Sequence, residues 1–414
     1  MYLRRKTILI TSMLLCTVLV ITGCGANTSR ETVDPLPTET PEADISVTPV
    51  ATEVPSPTAV PIDYKTATIK DVWGDSFYVG AVLNGAGVAN EAFQELVKTN
   101  FNSFTMENEM KPDSLLDYNT NISDPQKYNE NPAISFARAD AGLQFAKENG
   151  LKMRGHTLVW HSQTPRWFFT EGYSFEADAP FVSREMMLKR MENYIRQVME
   201  YVQTNYPDVI YAWDVVNEAI NPGDKQPDGL RTESMWYQVI GEDYIEKAFE
   251  YARKYAAPGT KLFYNDYNTE ESAKVVQISK LAKKLIAQGT IDGIGMQTHI
   301  KMDSPSLTMI DESVRTYAKL GLELQVTELD VDNNVNTEEE LQAQATRYKR
   351  LFLYFKKWKE AGIKLTSVTF WGTTDDRSWL NKPNLPSYPL LFDKDLQKKP
   401  SYYGVLQDPE IKLY

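Results

Sequence analysis

From Tyr64 to the C-terminus, short apolar or alternating runs and longer amphipathic segments take turns eight times, and no other feature narrows the architecture so far. The runs are FYVGAVL from 77, SFTME from 103, KMRGHTLVW from 152 and VIYAWDVVNE from 209, then KLFYND from 261, GIGMQTH from 293, LELQVTEL from 322 and LTSVTFW from 365. Each has the length of a strand. Between them lie segments such as NEAFQELVKTNF, REMMLKRMENYIRQVMEYVQTNY, EDYIEKAFEYARKY and EEELQAQATRYKRLFLYFKKWKEAG, whose apolar residues recur at i, i+3, i+4 and i+7. Strand and helix in alternation imply parallel pairing through right-handed crossovers. Eight such units over 64–414 predict an α/β chain closed into a single (β/α)₈ barrel. An open doubly wound sheet fits the pattern less well, because no GxGxxG turn follows the first run.

In such a barrel, polar chemistry gathers where the strands end. The second run ends in Glu107 and Asn108, with Lys111 just beyond, and the third carries His156, Trp160 and His161. The fourth ends in Asn217 and Glu218, the fifth in Tyr264, Asn265 and Asp266, and the sixth in Gln297 and His299. The seventh supplies Glu328 and Asp330, the eighth Trp371, with Trp379 soon after. Two-residue alternation puts Glu218 in phase with Val216, Gln297 with His299, and Glu328 with Asp330. Glu218 and Glu328 are then expected to face the barrel axis from strands three steps apart and to confront each other across its mouth. Asp214, in phase with Glu218 but deeper, reads as a buried structural acid. Opposed glutamates over a tryptophan-lined cleft suggest glycosidic bond cleavage. Metal ligation is the weaker idea, since the chain has three His and no HExxH motif. No metal and no cofactor are expected.

The motifs FTMENEMKP, RGHTLVWHSQTPRW, WDVVNEA, FYNDYN, GMQTHI, VTELDV and FWGTTDDRSWL, in this order, resemble those of the family 10 glycoside hydrolases, the (β/α)₈ endo-1,4-β-xylanases. The resemblance covers the chain from about Tyr64 onward. It implies a retaining double displacement on internal β-1,4-xylosidic bonds, with Glu218 as general acid/base and Glu328 as nucleophile. Asn217 would meet the sugar's 2-hydroxyl, and His156, Trp160, Gln297 and His299 would serve the same subsite. Glu107, Asn108 and Lys111 would grip the next sugar on the non-reducing side, above Trp371 and Trp379. Tyr264 is a candidate on the leaving-group side, and Asp330 would hold His299, which orients Glu328. One departure is RMENYI, where the resemblance leads to a His and Tyr194 stands. The alternatives are another retaining β-1,4-glycanase with mixed cellulase and xylanase activity, or an inactive glycan-binding surface protein.

Upstream, Arg4, Arg5 and Lys6 precede an uncharged apolar stretch from Thr7 to Ile21 that falls short of the roughly 20 residues a bilayer core requires. This reads as a signal peptide over 1–23. The ITGC that closes it resembles a lipobox, making Cys24 the site of lipidation and membrane attachment. Ordinary secretion is the alternative. From Cys24 to 63 the chain is rich in Pro, Thr and Glu and lacks hydrophobic periodicity, so a disordered spacer is expected there. Cys16, the only other cysteine, lies within the signal, leaving no pair for an intramolecular disulfide. A net charge of −12 argues against nucleic acid as a partner. Xylan and xylo-oligosaccharides are the expected partners of a monomer at the outer face of a bacterial cell membrane.

Overall fold

The computed structural model describes residues 62–224 and 228–413, which belong to one compact unit, Val60–Tyr414. Cys16, Cys24 and the spacer up to residue 61 lie outside the described residues. Nine strands follow in order: β1 Tyr78–Leu83, β2 Ser103–Met106, β3 Lys152–Trp160, β4 Ile210–Asn217, β5 Lys261–Asp266, β6 Gly293–Met296, β7 His299–Lys301, β8 Glu323–Asp332 and β9 Leu365–Phe370. Neighbours pair in parallel from β1 to β6; β6 then pairs with β8, β8 with β9, and β9 with β1. This closes the (β/α)₈ barrel. The short β7 lies beside the far end of β8, with His299 opposite Asp330.

A helix follows each ring strand: α1 Glu91–Asn100, α2 Asp140–Asn149, α3 Arg184–Asn205, α4 Tyr244–Tyr255, α5 Ser272–Ala287, α6 Leu307–Ala318, α7 Glu338–Glu360 and α8 Pro400–Val405. The longest, α7, shows why these segments are helical. The Thr337 side chain caps it by accepting from the Glu340 N–H, and Glu338, Glu339 and Glu340 set negative charge against the N-terminal end of its dipole. Tyr348, Leu351, Phe352, Phe355 and Trp358 form its buried stripe, each 0 % exposed. At about 1.5–3 kcal/mol for each large apolar side chain, that stripe and not propensity holds the helix on the barrel.

The barrel interior is polar as well as packed. Arg154 sits beneath the mouth with its Nη1 2.9 Å from Asp214 Oδ2 and its Nε 2.7 Å from Gln325 Oε1. Burial pushes the Asp214 carboxyl up, but the Arg154 guanidinium and His156 outweigh it and hold the group below the usual carboxylate range. Asp214 is therefore the buried acid its phase implied. It also fixes His156, whose Nδ1 lies 2.9 Å from Oδ2, so the ion pair anchors a residue of the layer above. Gly155 makes room alongside, since a Cβ there would lie 2.2 Å from the Trp213 ring.

The sixth predicted strand is broken in two. Thr298 takes a left-handed conformation (φ 62) between β6 and β7, although the Glu328 N–H still bonds the Gln297 carbonyl at 3.0 Å. Tyr194, the departure noted above, is buried against the edge of Phe168 in the helix layer. Among the described residues no helix is long and apolar enough to cross a membrane.

Candidate active site

Glu218 and Glu328 both reach the mouth of the barrel, but not by the strict alternation expected of their strands. Register slips between Asp214 and Val216 on β4, and between Val326 and Leu329 on β8. Such irregularities re-aim side chains near functional sites. Glu218 itself lies one residue beyond β4 with φ 56, a conformation that costs an ordinary residue about 1–2 kcal/mol. Its N–H donates to the Asn265 carbonyl at 2.9 Å. The turn after the strand, not the pleat, therefore aims Glu218, and it brings the adjacent Asn217 into the same site.

The two carboxylates are joined by amides. Gln297 Nε2 donates to Glu218 Oε1 at 2.9 Å, and Asn265 Nδ2 donates to Glu328 Oε1 at 2.8 Å. Both amides also reach Asn217 Oδ1, at 3.3 Å from Gln297 and 2.9 Å from Asn265. Trp160 Nε1 donates to the second Glu218 oxygen at 3.0 Å. This relay fixes the carboxylates relative to each other through rigid strand ends.

Glu328 is 4 % exposed. Burial raises the pKa of its carboxyl, yet the hydrogen bond from His299 and the charges of His156 and His299 more than offset this, and it stays below the ordinary glutamate value. His299 spans two carboxylates, Nε2 3.1 Å from Glu328 Oε2 and Nδ1 2.9 Å from Asp330 Oδ2. Burial alone would lower its pKa; Asp330 above all, then Glu328, raises it to about 10. Both ring nitrogens are thus donors at neutral pH. Since the folded value lies above the unfolded one of about 6.5, this imidazolium contributes stability in full below that pH and loses it as pH rises through about 10.

The sign for Glu328 is opposite: a lowered pKa keeps the carboxylate ionised as pH falls past the ordinary glutamate value of about 4.3. Asp330→Asn removes the main support of the His299 charge. It is expected to move the acid limb of kcat/KM upward by roughly one pH unit. A pH–rate profile checks this, and an unmoved limb would show that His299 does not set the charge on Glu328.

The cleft over these groups has a volume of about 550 Å³ and is lined by every candidate substrate residue except Tyr264. At one end, Lys111 Nζ donates to Asn108 Oδ1 at 3.1 Å and to Gln163 Oε1 at 2.9 Å, while Glu107 accepts from Asn84 at 3.1 Å. Burial lowers the Lys111 pKa against the pull of Glu328 and Glu107. Trp371 is buried edge-on to His156, and Trp379 stands at the rim, 53 % exposed, donating its Nε1 to Asp330 at 2.9 Å. Asp330 thus lies behind His299, on the side away from Glu328.

Tyr264 is the correction. It is 1 % exposed, and its hydroxyl accepts from the Ile220 N–H at 3.0 Å and donates to Asp266 Oδ2 at 2.5 Å, away from the cleft. The cause is alternation along β5: Asn265 faces the interior and Tyr264 the helices. Tyr267 and Asn268, in the loop beyond, line that end of the cleft instead, and Gln163 lines the other. Alternation alone separates Asn265 from Tyr264 without saying which faces inward, because Leu262 and Phe263 make both faces of the run apolar. His161 does not line the cleft, and among the described residues no group of three or more His, Cys, Asp or Glu is placed to hold a metal ion.

A parallel barrel that holds one anionic glutamate against a histidine cation, and ties it through amides to a second glutamate, defines a class of catalyst that works by displacement on paired carboxylates. Residues 68–408 match the description "Glycosyl hydrolase family 10", and the chain belongs to that family. It is 44% identical over 342 residues to endo-1,4-beta-xylanase B of Butyrivibrio fibrisolvens, covering 82% of this chain and 53% of that one. The chain therefore spans about half the length of this relative. Among solved structures, xylanase modules of Clostridium thermocellum in complex with xylohexaose share 37% identity at a TM-score of 0.74, covering 82% of this chain and 67% of that one. An intracellular xylanase of Thermoanaerobacterium saccharolyticum, as a mutant with xylotetraose, shares 40% at 0.70, covering 81% and 97%.

Proposed function

We propose that the barrel is an endo-1,4-β-xylanase that cleaves internal xylosidic bonds with retention. The observation that carries this reading is the His299-clamped, anionic Glu328 joined to Glu218 by the Asn265, Asn217 and Gln297 amides. In the first step Glu328 attacks the anomeric carbon while Glu218 passes its proton to the departing glycosidic oxygen. In the second, Glu218 takes a proton from water, whose oxygen attacks the same carbon and frees Glu328. Asn217 meets the 2-hydroxyl, a contact that strengthens as the oxocarbenium-like transition state forms.

The substrate class rests on the relatives, one named an endo-1,4-beta-xylanase and two solved with xylohexaose or xylotetraose. Internal cleavage fits an open cleft that runs past the carboxylates, toward Glu107 and Asn84 on one side and Tyr267 on the other. Export and lipidation at Cys24 would place the enzyme, as a monomer, on the outer face of the membrane.

Assays on intact producing cells test the whole reading. The expected result is release of reducing ends from xylan, with little from cellulose or mixed-linkage glucan, and a β-anomer as the first product by NMR. Activity should move to the medium when Cys24 is replaced by Ala. Binding without release, or an initial α-anomer, would overturn the catalytic reading; unchanged cell association would overturn the anchor.

A further inference from the structure

Glu218 holds its left-handed conformation because its peptide is fastened on both sides. The N–H side is tied to β5 through the Asn265 carbonyl at 2.9 Å. On the other side, Arg231 Nε donates to the Glu218 carbonyl at 3.1 Å. The same guanidinium sends Nη2 to the Tyr267 hydroxyl at 3.1 Å and Nη1 to Glu233 at 2.8 Å. Its backbone is fixed too, since the Arg231 N–H donates to the Ala219 carbonyl at 2.9 Å. Arg231 does not line the cleft, whereas Glu218 and Tyr267 both do. Lys274 Nζ, 3.5 Å from the centre of the Tyr267 ring, steadies the other face of this wall.

We propose that Arg231 is a positioning residue that couples the cleft wall at Tyr267, on the side away from Glu107, to the proton donor Glu218. The inference rests on the reading of Glu218 as acid/base. A planar fork suits this task, because one rigid group sets the spacing of two backbone and side-chain acceptors at once. A sugar pressed on Tyr267 then fixes the orientation of the carboxyl that must protonate its own glycosidic oxygen. Binding free energy on the leaving-group side is thereby expressed in the transition state.

Two substrates separate positioning of the acid from general structural support. Xylotetraose has a poor leaving group and needs protonation; 2,4-dinitrophenyl β-xylobioside does not. For Arg231→Ala, kcat/KM on xylotetraose should fall by about 10²-fold, the scale of a misplaced catalytic group, and on the aryl glycoside by less than about threefold. Tyr267→Phe, which keeps the ring, should show the same selectivity at roughly three- to tenfold. Equal losses on both substrates, or none on either, overturn the proposal, as does full activity in Arg231→Lys, which retains charge without the fork.

Glu218→Ala is the control for the underlying reading. If its kcat/KM, which reports formation of the glycosyl-enzyme, falls equally on both substrates, the acid lies elsewhere. If it is selective and neither Arg231→Ala nor Tyr267→Phe is, only the coupling fails. Adding Arg231→Ala to Glu218→Ala should bring no further loss on xylotetraose; an additive loss would mean that Arg231 acts independently of Glu218.

Discussion

Replacing Glu328 by Ala is expected to lower xylan hydrolysis by a factor on the order of 10⁴ to 10⁶ while leaving the barrel folded. The fold should survive because each neighbour of the lost carboxylate keeps a second partner. Asn265 Nδ2 retains Asn217 Oδ1 at 2.9 Å, and His299 retains Asp330 at 2.9 Å. What disappears is the carboxylate that the proposed mechanism requires to bond the anomeric carbon. The truncation also opens space beside a cation, and a small anion can enter it. With dinitrophenyl xylobioside, added azide should restore turnover and yield an α-glycosyl azide, the product of a single inverting attack. Circular dichroism, initial rates and NMR of the product decide the matter. A folded variant that still hydrolyses xylan, or an azide product of β configuration, would remove Glu328 from the nucleophile's place.

The sequence carried the architecture well because burial requirements are written in periodicity. β3 and β5 occupy the stretches 152–160 and 261–266 that their apolar runs mark, and the four long helical segments match α1, α3, α4 and α7 to within two residues at either end. Asp214 could be read as a buried acid from its phase, but Arg154, sixty residues away in the chain, became its partner only through barrel closure. What periodicity does not encode is its own interruption. Neither the slips on β4 and β8 nor the positive φ of Glu218 and Thr298 leaves a Gly or Pro in the sequence at those positions, since tertiary contacts impose them. These are the points where strict alternation gives the wrong aim, and they coincide with the residues closest to the chemistry. Tyr264 was a different failure. The resemblance offered an aromatic residue for the leaving-group side, and with Leu262 and Phe263 making both faces of β5 apolar, only the structure shows that its hydroxyl turns to Ile220 and Asp266.

Glu218→Gln isolates the proton from the shape of the side chain that delivers it. In the wild type, Oε1 accepts from Gln297 and Asn217, and Oε2 accepts from Trp160. An amide must turn its NH₂ toward one of these donors, so one hydrogen bond becomes a donor facing a donor. Affinity for xylotetraose should consequently weaken only a few-fold, or about 1 kcal/mol for one neutral hydrogen bond. Loss of proton transfer is the larger effect, about 10²- to 10⁴-fold in kcat on xylan. The two steps can be told apart with an activated substrate. Dinitrophenyl xylobioside needs no acid to form the glycosyl-enzyme, but its hydrolysis needs a base that glutamine cannot supply, so the covalent intermediate should accumulate on Glu328. Mass spectrometry of the quenched variant would show one added xylobiosyl unit, and peptide mapping would place it. A variant that binds as expected yet turns over xylan at the wild-type rate would mean that another group protonates the leaving oxygen, and the amide relay between the two carboxylates would then require a different purpose.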